Sequence, residues 1–161
     1  MNTSLNEIAL KHFDWVERMN WHNKTVLESL ALIGSEIGES INECWGNIPT
    51  EHFGEELADI FLRVADLAMV EKVDIEQALK SSTVIWKTND YQGQFNEMTV
   101  EWAHWINTAR KEKLNEDFAL CLGKVLKMVF LLAEKAEIDL YQEIVKKIDK
   151  NEARGTRGRA I

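Results

Sequence analysis

The chain has 161 residues, of which 45% are hydrophobic and 29% charged, and it is predicted to form a single domain, residues 1–161. Its net charge of −8 argues against binding to a nucleic-acid polymer, because contacts with phosphate backbones need a basic surface. The N-terminal residues lack a signal-peptide pattern, and no apolar run is long enough to span a membrane. We therefore expect a cytoplasmic protein without membrane partners.

Helical periodicity dominates the chain, because apolar residues recur every three or four positions. In chain order, the predicted helices are residues 5–19, 24–45, 51–71, one that begins after Asp74, 97–112, 115–135 and 140–153. The sequence GNIPT is predicted to form the turn before the third helix, and NDYQGQ is predicted to interrupt the helices. With one proline and no alternating stretch typical of a strand, the predicted fold class is all-α.

A weak internal repeat divides the chain. The sequences EKVDIEQAL and EKAEIDLYQEI each follow a long apolar helix. Residues 24–88 and 97–153 are therefore either two related helical halves, the second of them degenerate, or amphipathic helices that are similar by chance. The second half has Ala119 and Leu122 at the positions that correspond to two acids of the first half.

Those acids belong to two carboxylate pairs with the same spacing. Glu36 and Glu39 lie on the second predicted helix, and Glu56 and Asp59 lie on the third. Residues three apart share one face of a helix, and apolar residues flank the second pair closely. Buried carboxylates are costly unless a cation neutralises them, and Mg²⁺ prefers such oxygen ligands. The alternative is that the acids belong to solvated helix faces.

The two pairs resemble a known signature. Glu36-Ile-Gly-Glu39 followed by Glu56-Leu-Ala-Asp59 is similar to the ExxE and ExxD motifs of MazG-type all-α nucleoside triphosphate pyrophosphohydrolases, and the resemblance is strongest over residues 25–80. It implies a four-helix core that holds Mg²⁺, or alternatively Mn²⁺, on these four acids. It also implies hydrolysis of a (deoxy)nucleoside triphosphate to the monophosphate and pyrophosphate.

The resemblance also implies roles for single residues and an oligomeric state. Glu36 or Glu39 would act as the base that accepts a proton from water, in addition to binding metal. Asp66 would support the site by holding Arg63 or a water on the metal. The resemblance suggests a homodimer, whereas an internal duplication would permit a monomer.

A basic motif near the end of the chain completes the resemblance. Lys147, Asn151 and Arg154 have the spacing found at the end of the last core helix in that family. This implies that the two cations bind phosphates and that the amide binds sugar or phosphate. The alternative is a solvated basic helix end, which the helix dipole favours. Arg157 and Arg159 follow and could close over a polyphosphate.

Because the acids lie in the first half and the basic motif in the second, we expect one composite site that joins them. Trp21, which precedes the first acidic helix, is a candidate to stack on a nucleobase, with packing in the core or an interface as the alternative. The competing class of function is a degenerate, non-catalytic family member that binds a nucleotide or a partner protein.

Overall fold

A computed structural model describes residues 3–111 and 116–155, and these ranges contain seven α-helices and no strand. The helices are α1 (Leu5–Arg18), α2 (Val26–Glu43), α3 (Phe53–Val70), α4 (Ile75–Ser81), α5 (Tyr91–Arg110), α6 (Glu116–Lys135) and α7 (Leu140–Arg154). The prediction of an all-α fold is confirmed. None of the helices in these ranges has both the length and the apolar character that crossing a membrane requires.

Reciprocal capping boxes fix where the first two helices begin. Ser4 Oγ accepts a hydrogen bond from the Glu7 amide at 3.1 Å, and the Glu7 carboxylate accepts one from the Ser4 amide at 2.9 Å. Thr25 and Glu28 form the same pair of bonds at the start of α2. Both boxes satisfy amide groups that the first helical turn leaves unpaired.

Helix α5 begins at Tyr91, earlier than predicted. Asp90 caps it by accepting a hydrogen bond from the Gly93 amide at 2.8 Å. Tyr91, Phe95 and Met98 are buried at helical spacing, so tertiary packing supports the first turns. The predicted interruption at NDYQGQ is therefore wrong from its tyrosine onward.

Helix α3 occupies the centre of the molecule, where α1, α2, α6 and α7 pack around it. Its buried apolar residues cover most of its circumference: Phe53, Leu57, Ala58, Ile60, Phe61, Leu62, Val64, Ala65, Leu67 and Ala68. A helix packed on so many sides leaves little of its surface to water. Any charged side chain on α3 therefore lies against another element or in a cavity.

The two halves of the chain exchange helices. Helices α2 and α3 pack together, as do α5 and α6, and the two pairs meet through α2 with α5 and α3 with α6. Helix α7 packs on α3, and α4 packs on α6, so each half covers the other with its third helix. This arrangement places the basic end of the chain beside the acidic helix.

The two glycines of α2 offer a matched test of the packing between α2 and α5. A Cβ added at Gly34 would lie 2.3 Å from the Trp102 ring, whose indole nitrogen donates to the Leu30 carbonyl at 2.8 Å. A Cβ at Gly38 would meet no atom within 4 Å. We expect Gly34→Ala to lower the free energy of unfolding by about 1–3 kcal/mol, and Gly38→Ala to raise it by about 0.5–1 kcal/mol.

Urea denaturation of both variants checks this prediction. Equal effects of the two substitutions on the free energy of unfolding would contradict the close approach of α2 to α5 at Gly34.

Candidate functional site

Helices α1, α2, α3 and α7 surround a cavity of about 620 Å³. The predicted site residues that line it are Trp21, Glu36, Glu39, Asp59, Arg63, Asp66, Lys147, Asn151 and Arg154. The predicted Arg157 and Arg159 lie outside the described residues. Both halves of the chain thus contribute to one cavity, as a composite site requires.

Three of the four predicted metal ligands come together. Glu36, Glu56 and Asp59 each offer a carboxylate oxygen, and these oxygens lie within 4.8 Å of one another. Glu36 is only 8% exposed, and Glu56 Oε2 is buried without a hydrogen-bond partner among the described residues. Glu39 lines the cavity but is exposed and lies outside this group. We call Glu36, Glu56 and Asp59 the acidic cluster.

The acidic cluster holds more negative charge than its surroundings neutralise. Burial, followed by the neighbouring Asp59, raises the pKa of Glu56 to about 7. Burial also raises the pKa of Asp59 to about 6, although the Lys147 ammonium opposes this shift. Both shifts indicate that removal from water and mutual repulsion outweigh the attraction of the cations present. A further cation would relieve this strain.

Lys147 connects α7 to the acidic helix. Its ammonium bonds the Asp59 carboxylate and lies 2.7 Å from Glu55 Oε1, and Lys150 bonds the same Glu55 oxygen. Burial disfavours the charged form of Lys147, but its two carboxylate bonds outweigh this and raise its pKa. The hydrogen bonds that Glu55 accepts, first from Lys147 and then from Lys150, lower the pKa of Glu55 to about 2. Sequence reasoning missed Glu55, although its place beside Glu56 on α3 was visible.

Arg63 and Asp66 have different partners. Arg63 Nε donates to Glu36 Oε1 at 2.9 Å, so this cation neutralises part of the charge of the acidic cluster. The buried Asp66 lies against His22 rather than holding Arg63, with 3.3 Å between His22 Nδ1 and Asp66 Oδ1. Burial raises the pKa of Asp66. Of the two predicted partners of Asp66, Arg63 bonds Glu36 instead, because the segment before α2 brings His22 to the Asp66 carboxylate; a water on the metal as the partner of Asp66 stays a prediction.

Aromatic rings form another part of the cavity wall. Trp15 and Trp21 meet edge to face with 5.2 Å between ring centroids, and His12 stacks on Trp15 at 5.8 Å. All three residues line the cavity. Trp21 thus fits both predicted roles, since it packs against another ring and also faces the cavity. Sequence reasoning missed His12, whose spacing from Trp15 on α1 was the available signal.

The buried His12 makes the stability of the protein sensitive to acid. Burial, followed by the nearby Arg63 and His22 charges, lowers the pKa of His12 from 6.5 to about 4. The unfolded chain therefore binds this proton more readily than the folded protein, so stability is full above about pH 6.5 and is lost as the pH falls towards 4. The free energy of unfolding should fall between pH 7 and pH 4.5 in the wild type, and this fall should be smaller by about 2–3 kcal/mol in His12→Leu.

Urea denaturation at the two pH values measures this effect. His52→Gln, which removes an exposed histidine in the turn before α3, is the control for replacing a histidine at the surface. Retention of the full acid sensitivity in His12→Leu would contradict the assignment.

No protein-family model, curated protein or solved structure matches this chain. The resemblance to MazG-type enzymes therefore rests on the ExxE and ExxD residues, the segments around them and the basic motif of α7. The metal, the substrate and the reaction that the resemblance implies stay predictions, and the geometry of the cavity is the independent observation to set beside them.

Proposed function

We propose that this chain is a MazG-like, Mg²⁺-dependent pyrophosphohydrolase that converts a (deoxy)nucleoside triphosphate to the monophosphate and pyrophosphate. The observation that carries the proposal is that Glu36 and Asp59, two members of the acidic cluster, line the same cavity as the basic motif of α7. Carboxylates bind divalent cations and basic side chains bind phosphates, so together they are suited to a metal-complexed polyphosphate.

The acidic cluster fits Mg²⁺, and Mn²⁺ as a substitute, on two grounds. Its donors are hard carboxylate oxygens on neighbouring helices, and Glu56 Oε2 is buried without a hydrogen bond within the described part of the chain. Glu36, Glu56 and Asp59 would hold the ion. When bound, Mg²⁺ supplies charge neutralisation for the triphosphate and lowers the pKa of water at the site.

The remaining cavity residues have separate tasks in this proposal. Lys147 and Arg154 bind the outer phosphates, and Asn151 binds sugar or phosphate. Lys147 exchanges a carboxylate for a phosphate oxygen when the substrate arrives, since Asp59 and Glu55 hold it in the free protein. Glu36 is engaged by Arg63, so the geometry favours Glu39 as the base that takes the proton of the attacking water.

The proposal includes a four-helix core of α2, α3, α5 and α6 that arose by duplication. The exchange of α4 and α7 between the halves supports it, because the packing of α2 on α3 and of α7 on α3 has its counterpart in the packing of α5 on α6 and of α4 on α6. The acids are kept in the first half and the basic motif in the second, and a single chain lines the cavity. The expected homodimer stays a prediction.

A nucleotide panel tests the proposal. The protein is incubated with Mg²⁺ and each common NTP and dNTP, and the products are separated by anion-exchange chromatography. We expect monophosphate and pyrophosphate in equal amounts and no turnover in EDTA. Release of orthophosphate would contradict the cleavage position. Absence of turnover together with stabilisation by a nucleotide would instead support the non-catalytic binding protein.

A further inference from the structure

The cavity extends from the acidic cluster along α3 to Asp66, which also lines it. Asp66 is seven residues beyond Asp59, so the helical rise separates the two positions by roughly 10 Å. A polyphosphate bound at the acidic cluster would leave its nucleoside to occupy the rest of the cavity. His22 lies beside Asp66, and the preceding residue, Trp21, also lines the cavity.

Asp66 contributes a buried carboxylate to the lining of this part of the cavity. The residue is 8% exposed, and its Oδ1 atom is buried without a hydrogen bond from any described residue. His22 Nδ1 lies 3.3 Å from this oxygen and holds the carboxylate from one side, but the two carboxylate oxygens together have lone pairs for a further donor. The other ring nitrogen of His22 bonds the Glu17 carboxylate, which fixes the orientation of the ring. An unsatisfied buried acceptor is costly, so a ligand that donates a hydrogen bond here gains affinity.

We propose that Asp66, oriented beside His22, reads the nucleobase by accepting a hydrogen bond from an exocyclic amino group, which favours amino-bearing bases over their keto counterparts. The inference rests on the proposed function, since it assigns the base end of the same cavity. A carboxylate offers only acceptors, so it pairs with the amino group of cytosine or adenine. The carbonyl oxygen of uracil or hypoxanthine at the same place is repelled.

Two pairs of substrates test the inference: dCTP with dUTP, and dATP with dITP. In each pair the base of the first nucleotide has an exocyclic amino group where the base of the second has a carbonyl oxygen. We expect the wild-type kcat/KM to favour the amino member of each pair by about tenfold to a hundredfold. Asp66→Asn, which adds a donor at the same position, should abolish or reverse the preference. Glu101→Gln is the control, because this carboxylate pairs with Lys124 in a different cavity and should leave the ratios unchanged.

Binding of dCMP and dUMP by isothermal titration calorimetry separates this inference from the proposed reaction. Turnover without amino preference, or with a preference that Asp66→Asn leaves intact, overturns the inference and leaves the reaction standing. Tighter binding of dCMP that Asp66→Asn removes supports the subsite even if no triphosphate is hydrolysed. Equal binding or none, without turnover, overturns both. If Asp66→Asn fails to fold, Asp66→Ala, which removes the acceptor, replaces it, and an unchanged preference in that variant overturns the inference.

Discussion

Glu56→Gln should stabilise the metal-free protein at pH 8 by about 1–2 kcal/mol while it abolishes nucleotide hydrolysis. Burial and the neighbouring Asp59 raise the pKa of Glu56 from 4.5 to about 7, so the folded protein carries an unfavourable carboxylate at pH 8. Because the pKa is raised on folding, this destabilisation develops as the pH rises from 4.5 to 7. The gain from Glu56→Gln should therefore be small at pH 4.

Urea denaturation in EDTA at pH 4 and pH 8 measures this effect, with Glu101→Gln as a control that loses a salt bridge to Lys124. Added Mg²⁺ should raise the stability of the wild type, since a ligand that binds only the folded state stabilises it. It should raise that of Glu56→Gln much less. A loss of stability in metal-free Glu56→Gln at pH 8 would show instead that the carboxylate has a structural role.

Lys147→Met should destabilise the protein by about 2–3 kcal/mol and raise the KM for the nucleotide at least about tenfold. Lys147 is buried and bonds both Asp59 and Glu55, so its removal takes the bound cation from Asp59 and leaves Glu55 with Lys150. Lys150→Met is the matched control on the same helix. Lys150 bonds the same Glu55 oxygen from a more exposed position, so its loss should cost less than about 1 kcal/mol.

A double-mutant cycle with Asp59→Asn identifies the cause. If repulsion among the carboxylates destabilises Lys147→Met, the second substitution should restore about 1–2 kcal/mol of the lost unfolding free energy. Equal losses in Lys147→Met and Lys150→Met, with no coupling to Asp59, would contradict the neutralising role of Lys147.

Periodicity predicted the helices well because burial sets their pattern. The exception is the start of α5, where a glycine and two glutamines indicated a break in the sequence. In the structure this segment is the first helical turn, which Asp90 caps and in which Tyr91 is buried in the core. The short turn GNIPT correctly predicted that α2 and α3 pack together. The sequence could not predict the exchange of α4 and α7, because it depends on contacts between distant parts of the chain.

Spacing predicted which acids share a helix face but not how deeply each is buried. The second acid of the first pair, Glu39, is exposed, whereas Glu36 is buried and held by Arg63. A helical pattern cannot distinguish these cases, since burial depends on what the neighbouring helices cover. The sequence also could not predict the contact of Lys147 with Glu55 or that of Asp66 with His22, because each joins residues from different helices or loops.

The central claim is that the acidic cluster and the α7 motif form one catalytic site for a nucleoside triphosphate. Its most direct test is the initial rate of pyrophosphate release from the best dNTP of the panel, measured against Mg²⁺ concentration for wild type, Asp59→Asn and Glu101→Gln. We predict Mg²⁺-dependent release by wild type and Glu101→Gln, and a loss of about 100-fold or more in Asp59→Asn. Pyrophosphate release that Asp59→Asn leaves intact would contradict the claim.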